Sequence, residues 1–182
     1  GDQAEAFLMA SGKLQALCYK ADIEAALNTP GFAGFHLLQL HDFPGQGTAL
    51  VGILNPFFES KGYITPEEFR MFCNRTVPLA RMQKMIYSNN EAFKATVEVA
   101  HFGDKPIGKA VIICQVTNEK GDTIHKEIFT KDKIEIANCS EIGLYQRDLS
   151  DLKKAQKLTL EVLLTNTPYK NRWDFWVYPA KQ

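Results

Sequence analysis

The sequence predicts an α+β chain. A helix–strand–helix segment is expected over residues 1–82 and an antiparallel β-sandwich over residues 83–182. Three observations predict it. Apolar residues near the start recur at helical spacing. A short, nearly continuous apolar run follows at "GFHLLQL". From "FKATVEVAHF" onward, apolar and polar residues alternate with period two.

The first element is a helix over residues 5–27. Leu14, Leu17, Cys18, Ala21 and Ala25 fall at i, i+3, i+4, i+7 and i+11, which is one face of an amphipathic helix and the expected core side. Asn28, Thr29, Pro30 and Gly31 stop it, because proline cannot continue the hydrogen-bond ladder. The apolar run at residues 34–40 suits a strand buried on both faces. A second helix starts at "ITPEEF". Thr65 is a good N-cap, Pro66 fits the first helical position, and Glu68 closes a capping box.

The second half changes period. Phe93, Ala95, Val97 and Val99 share one face, and Lys94, Thr96 and Glu98 the other. In "KLTLEVLL", Leu158, Leu160, Val162 and Leu164 oppose Lys157, Thr159 and Glu161. One polar face per strand means antiparallel sheets packed on one side. Strands are expected near 84–88, 92–102, 109–117, 123–130, 132–137, 143–149, 157–165 and 172–178, with turn signals such as "SNNE" and "NEKGD" between them. Such short, regularly spaced strands suggest an immunoglobulin-like sandwich.

Composition narrows the function. Twenty-one basic residues balance twenty-one acidic ones, so no basic surface is expected for a nucleic acid. No apolar run reaches the roughly 18 residues of a membrane-spanning helix. The opening "GDQAEAF" lacks the basic flank and apolar core of a signal peptide. Cys18, Cys73, Cys114 and Cys139 never fall at a C-x-x-C spacing, so they read as buried free thiols and no metal or cofactor is expected.

The stretch "GFHLLQLHDFPGQGTALVGILNPFFESKG", followed by "ITPEEFRMFCNRTVPLARM", resembles the end of the catalytic (β/α)8 barrel in glycoside hydrolase family 2-like proteins. These are β-galactosidase and β-glucuronidase relatives, and the likeness is to their sugar-binding-domain branch. The tail "RWDFWVYP" resembles the closing strand of the sandwich that follows the barrel. The resemblance implies that residues 1–82 are a barrel remnant, with 5–27 as helix seven, 34–40 as strand eight and 66–73 as the start of helix eight. It implies a retaining hydrolase whose two carboxylates lie on barrel strands four and seven, upstream of Gly1. It also implies a non-catalytic chain, a β-linked glycan as the parent's substrate, and a periplasmic or secreted location.

Gln39, His41 and Asp42 stand where strand eight would emerge, and Gln46 lies on the following glycine loop. Barrel active sites form at strand C-termini, so the resemblance makes these four sugar-contacting residues of the parent's pocket. A structural role stands beside it: Asp42 capping the loop's own N–H groups and His41 packing on Phe43. Trp173 and Trp176 are candidates for stacking on a sugar ring, or for interior packing. They fall on opposite faces of a strand, so one face is core. A stand-alone carbohydrate-binding or interaction module is the alternative reading. The apolar surface of residues 7–57 predicts either a homodimer or docking of this segment on the sandwich.

Overall fold

The computed structural model describes residues 1–45, 47 and 50–180. Two sheets face each other in a β-sandwich. The elements are α1 (Ala4–Leu27), α2 (Pro66–Phe69), β1 (Thr76–Met82), β2 (Ile86–Ser88), β3 (Ala92–His101), β4 (Ile107–Asn118), β5 (Thr123–Ile134), β6 (Ala137–Asp148), β7 (Gln156–Leu164) and β8 (Lys170–Tyr178). One sheet has the order β1-β3-β6, the other β2-β8-β7-β4-β5. All pairs are antiparallel except β2 with β8.

The alternation read from sequence sets the interior. Phe93, Ala95, Val97 and Val99 of β3 meet Leu158, Leu160, Val162 and Leu164 of β7, with Ile112, Cys114 and Val116 of β4. Phe93 stacks on Phe175 at 4.2 Å, and Tyr87 and Tyr145 meet Phe93 edge-on. Each such side chain, taken fully out of water, contributes roughly 1.5–3 kcal/mol.

The α+β expectation is overturned. The chain is mostly β, and no helix–strand barrel remnant forms. Residues 34–40 make no strand. A strand buried on both faces needs paired neighbours, and this segment finds only an isolated bridge between His41 and Leu54. The expected second helix is a single turn. Its capping box forms as read, yet Thr76 already opens β1. β1 lies at a sheet edge, the one place a strand tolerates Pro78. The expected strand at 132–137 is instead a crossover. β5 runs to Ile134, and Glu135 and Ile136 carry the chain to the other sheet.

α1 forms as expected but turns its other side inward. Gly12, Ala16, Ile23 and Leu27 are buried, whereas Leu14 and Leu17 are each 62% exposed. Cys18, Ala21 and Ala25 are exposed as well. Ile23 and Leu27 join Phe72, Val77, Leu79 and Ala100 in a second core on the outer face of the three-stranded sheet. Small residues at 12 and 16 permit close approach: a Cβ on Gly12 would lie 2.2 Å from the Tyr63 ring. Of the four thiols only Cys114 is buried; Cys18 is exposed, and Cys73 and Cys139 are half-buried.

Candidate functional site

The loop after Leu37 is anchored from within. Leu40 accepts backbone bonds from Ile53 and Leu54, and Asp42 N–H donates to the Leu54 carbonyl at 3.0 Å. Gly52 passes against this backbone so closely that a Cβ would lie 2.2 Å from the His41 carbonyl carbon. Tyr19 and Gln15 of α1 donate to the Val51 carbonyl and pin the loop to the helix.

Asp42 is buried, at 4% exposure. Its Oδ1 accepts from the Gly52 N–H at 3.0 Å and from Lys61 Nζ at 2.7 Å. Lys61 also donates to the Gly52 carbonyl at 2.9 Å. Burial pushes the Asp42 carboxyl up, but the Lys61 and Gly52 bonds outweigh it and hold it below the usual carboxylate range. A carboxylate so held stays ionised and does not serve as a general acid near neutrality. Lys61 was missed in the sequence, where only its nearness to a glycine loop hinted at a role.

His41 is half-buried and stacks on Phe58 at 4.3 Å, not on Phe43. Its Nε2 lies 3.4 Å from Gln39 Nε2. The structure therefore brings Gln39 and His41 together and turns Asp42 away into the Lys61 pair. Gln46 lies outside the described residues. Around the Gln39–His41 pair, Phe43, Phe57 and Phe58 are exposed.

The tryptophans separate. Trp173 is 6% exposed, and its ring is covered by Lys20 Nζ at 4.7 Å. No sugar ring reaches it. Its Nε1 donates to Glu24 Oε2 at 2.8 Å. Glu24 Oε1 accepts from Lys20 and from Asn171 Nδ2, the latter at 2.7 Å. Asn171 also accepts from Lys20 at 2.7 Å and donates to the Pro78 carbonyl at 3.0 Å. This buried clamp fixes α1 to β8 and β1, and burial pushes the Lys20 ammonium down. Trp176 is 38% exposed beside Tyr178 on the outer face of β8. Among the described residues no group of three or more His, Cys, Asp or Glu side chains is placed to hold a metal ion. Among the described residues no helix is long and apolar enough to cross a membrane.

A family described as "Domain of unknown function (DUF8488)" matches residues 91–179. No curated protein matches the chain. Among solved structures, the trypsin-activated alpha-2-macroglobulin of Escherichia coli is similar at 11% identity and a TM-score of 0.43, over 59% of this chain and 9% of that one. The Parabacteroides merdae beta-glucuronidase is similar at 13% identity and a TM-score of 0.39, over 57% of this chain and 14% of that one. A beta-glucuronidase from glycoside hydrolase family 2 is similar at 8% identity and a TM-score of 0.34, over 57% and 11%. The chain thus spans 9% to 14% of the length of these proteins.

Proposed function

We propose that the chain is the non-catalytic portion of a family 2-like glycoside hydrolase acting on β-linked glycans. In this reading residues 1–75 seat against the catalytic domain and the sandwich braces them. Gln39 and His41 lie on the sugar side of that contact, in a periplasmic or secreted protein. One observation carries the reading. Among the described residues, 13 of 21 exposed large hydrophobic side chains fall between Phe7 and Phe58, so the unsatisfied surface is concentrated in the segment ahead of the sandwich. At roughly half exposure, with about 150–250 Å² for each aromatic, they leave on the order of 1,000 Å² of apolar surface. That total is of the order of one side of a stable interface.

The sequence likeness of "LHDFPGQGTALVG" and "RWDFWVYP" supplies the chemical class. The Lys61-held Asp42 supports the non-catalytic part. The test is turnover of aryl β-glycosides by this chain, with 8-anilinonaphthalene sulfonate reporting the apolar face. No hydrolysis and strong dye binding, reduced in Leu14→Glu/Leu17→Glu, are expected. Hydrolysis that disappears on changing Asp42 overturns the reading, and so does a chain that binds no dye.

A further inference from the structure

The edges of the two sheets are β1 and β6 in one, β2 and β5 in the other, and they are not equally guarded. β1 carries Pro78, β2 is three residues long, and β6 meets β3 through two register shifts. Such breaks discourage another chain from adding a strand. β5 is the exception. It runs for 12 residues with neither proline nor glycine, and its pairing with β4 is irregular only at the Val116/Thr117 end. Ile128, near its middle, is 60% exposed.

The direction of the β5 backbone follows from its neighbours. The Thr165 N–H donates to the Val111 carbonyl at 2.9 Å, so Val111 turns its backbone toward β7. Alternate residues turn the other way, so Ile112 and Cys114 bond β5 at Phe129 and Glu127. Lys126, Ile128, Thr130 and Asp132 therefore present their N–H and C=O groups at the free edge. The side chains of all four are exposed. Between them stand Glu127, half-buried, and Lys131, exposed. Among the described residues, Lys126, Glu127, Lys131 and Asp132 take part in no ion pair.

The spacing of these four charges selects the occupant. Two copies of β5 laid antiparallel meet through their outward groups only when even-numbered residues face even-numbered ones. Centred on Phe129, the pair sets Lys126 opposite the partner's Asp132 and Glu127 opposite the partner's Lys131. The two-fold axis repeats both opposite-charge pairs, along about eight backbone hydrogen bonds. Centring one residue away, on Ile128 or Thr130, sets Asp132 against Ile124 or Ile128 instead. Centring two residues away sets Glu127 against Glu127 or Lys131 against Lys131. One register alone is self-complementary in charge. We propose that the chain forms a two-fold dimer in which β5 pairs with β5 of a second copy, centred on Phe129, so that the two larger sheets become one. The contact uses no residue of the apolar segment ahead of the sandwich and does not rest on the glycosidase reading.

The test is sedimentation equilibrium of the whole chain at low salt, from about 5 to 500 µM. A monomer–dimer equilibrium with a Kd of about 10–100 µM is expected, because a single strand pair is a small interface. Asp132→Lys sets lysine against the partner's Lys126 on both sides of the axis and should weaken the dimer about tenfold. Lys126→Asp/Asp132→Lys exchanges the two charges and should restore it. Both positions are exposed, so the fold is kept. Ile128→Pro removes an N–H that faces away from β4 and should abolish the dimer while leaving the sandwich folded by circular dichroism. A chain that stays monomeric up to about 500 µM overturns the proposal. So does an exchanged double variant no tighter than Asp132→Lys. A dimer that survives Ile128→Pro overturns it as well, including one lost instead in Leu14→Glu/Leu17→Glu.

Discussion

Replacing Glu24 with alanine removes the centre of the clamp that holds α1 on the sandwich. Glu24 meets three donors: Lys20, Asn171 and Trp173. Asn171 keeps its bond to the Pro78 carbonyl, and Lys20 keeps the Asn171 carbonyl oxygen. The Trp173 indole N–H keeps nothing and is left buried, at a cost of about 1–3 kcal/mol. Lys20, with its side chain 16% exposed, loses its counter-ion, and breaking a buried pair costs about 3–5 kcal/mol. The two overlap, so the expected loss is about 4 kcal/mol. Urea denaturation followed by circular dichroism and by Trp173 emission measures it. Lys20→Met/Glu24→Leu is the control, because an apolar pair of similar volume replaces a buried ion pair at little cost. It should recover the ion-pair share of the loss and keep only the roughly 1–3 kcal/mol of the unmet Trp173 N–H. A loss under about 1 kcal/mol in Glu24→Ala, or a double variant as unstable as the single, refutes the assignment of the clamp.

Three further outcomes follow from the same geometry. Asp42 has a folded pKa below its unfolded value. Its ion pair therefore adds stability fully present above the unfolded value and lost as pH falls through the folded one; acid titration of loop amide exchange should show this, and Asp42→Asn should abolish it. Gly52→Ala should disorder residues 40–42 and 50–54 with a loss of about 1–3 kcal/mol, seen as faster proteolysis there, because the new methyl meets the His41–Asp42 backbone. Cys18 should react first with a thiol reagent in the native chain; Cys114, pushed up to about 12 by burial, should react only on unfolding.

The sandwich was legible because period-two alternation is a direct consequence of one buried face. It grouped Phe93 with Val97, and Leu158 with Leu160, on the faces that pack inward. The N-terminal segment was not legible, for physical reasons. α1 is apolar on two sides, so spacing alone selected Leu14 and Leu17, while the buried side was decided by Glu24 reaching partners some 150 residues away. "GFHLLQL" carries the composition of a buried strand, but strand formation depends on neighbours, and composition is silent on those. β1 was hidden because "TVPLARM" contains a proline that only an edge position accommodates. At the loop, His41 and Asp42 attracted notice as polar residues among glycines. Their separation into a surface stack and a buried ion pair depended on Lys61 and Phe58.

α1 leaves the ribosome well before the atoms that lock it down. Glu24 and its Asn171 and Trp173 donors are 147 and 149 residues apart. At about 5–20 residues per second, synthesis of that interval takes about 7–30 s. β8, which carries both donors, also inserts between β2 and β7, so the five-stranded sheet cannot close before it emerges. Until then the buried side of α1 rests on Phe72, Val77, Leu79 and Ala100 without its polar clamp. The seating of α1 and the closure of the five-stranded sheet are therefore completed by the same strand.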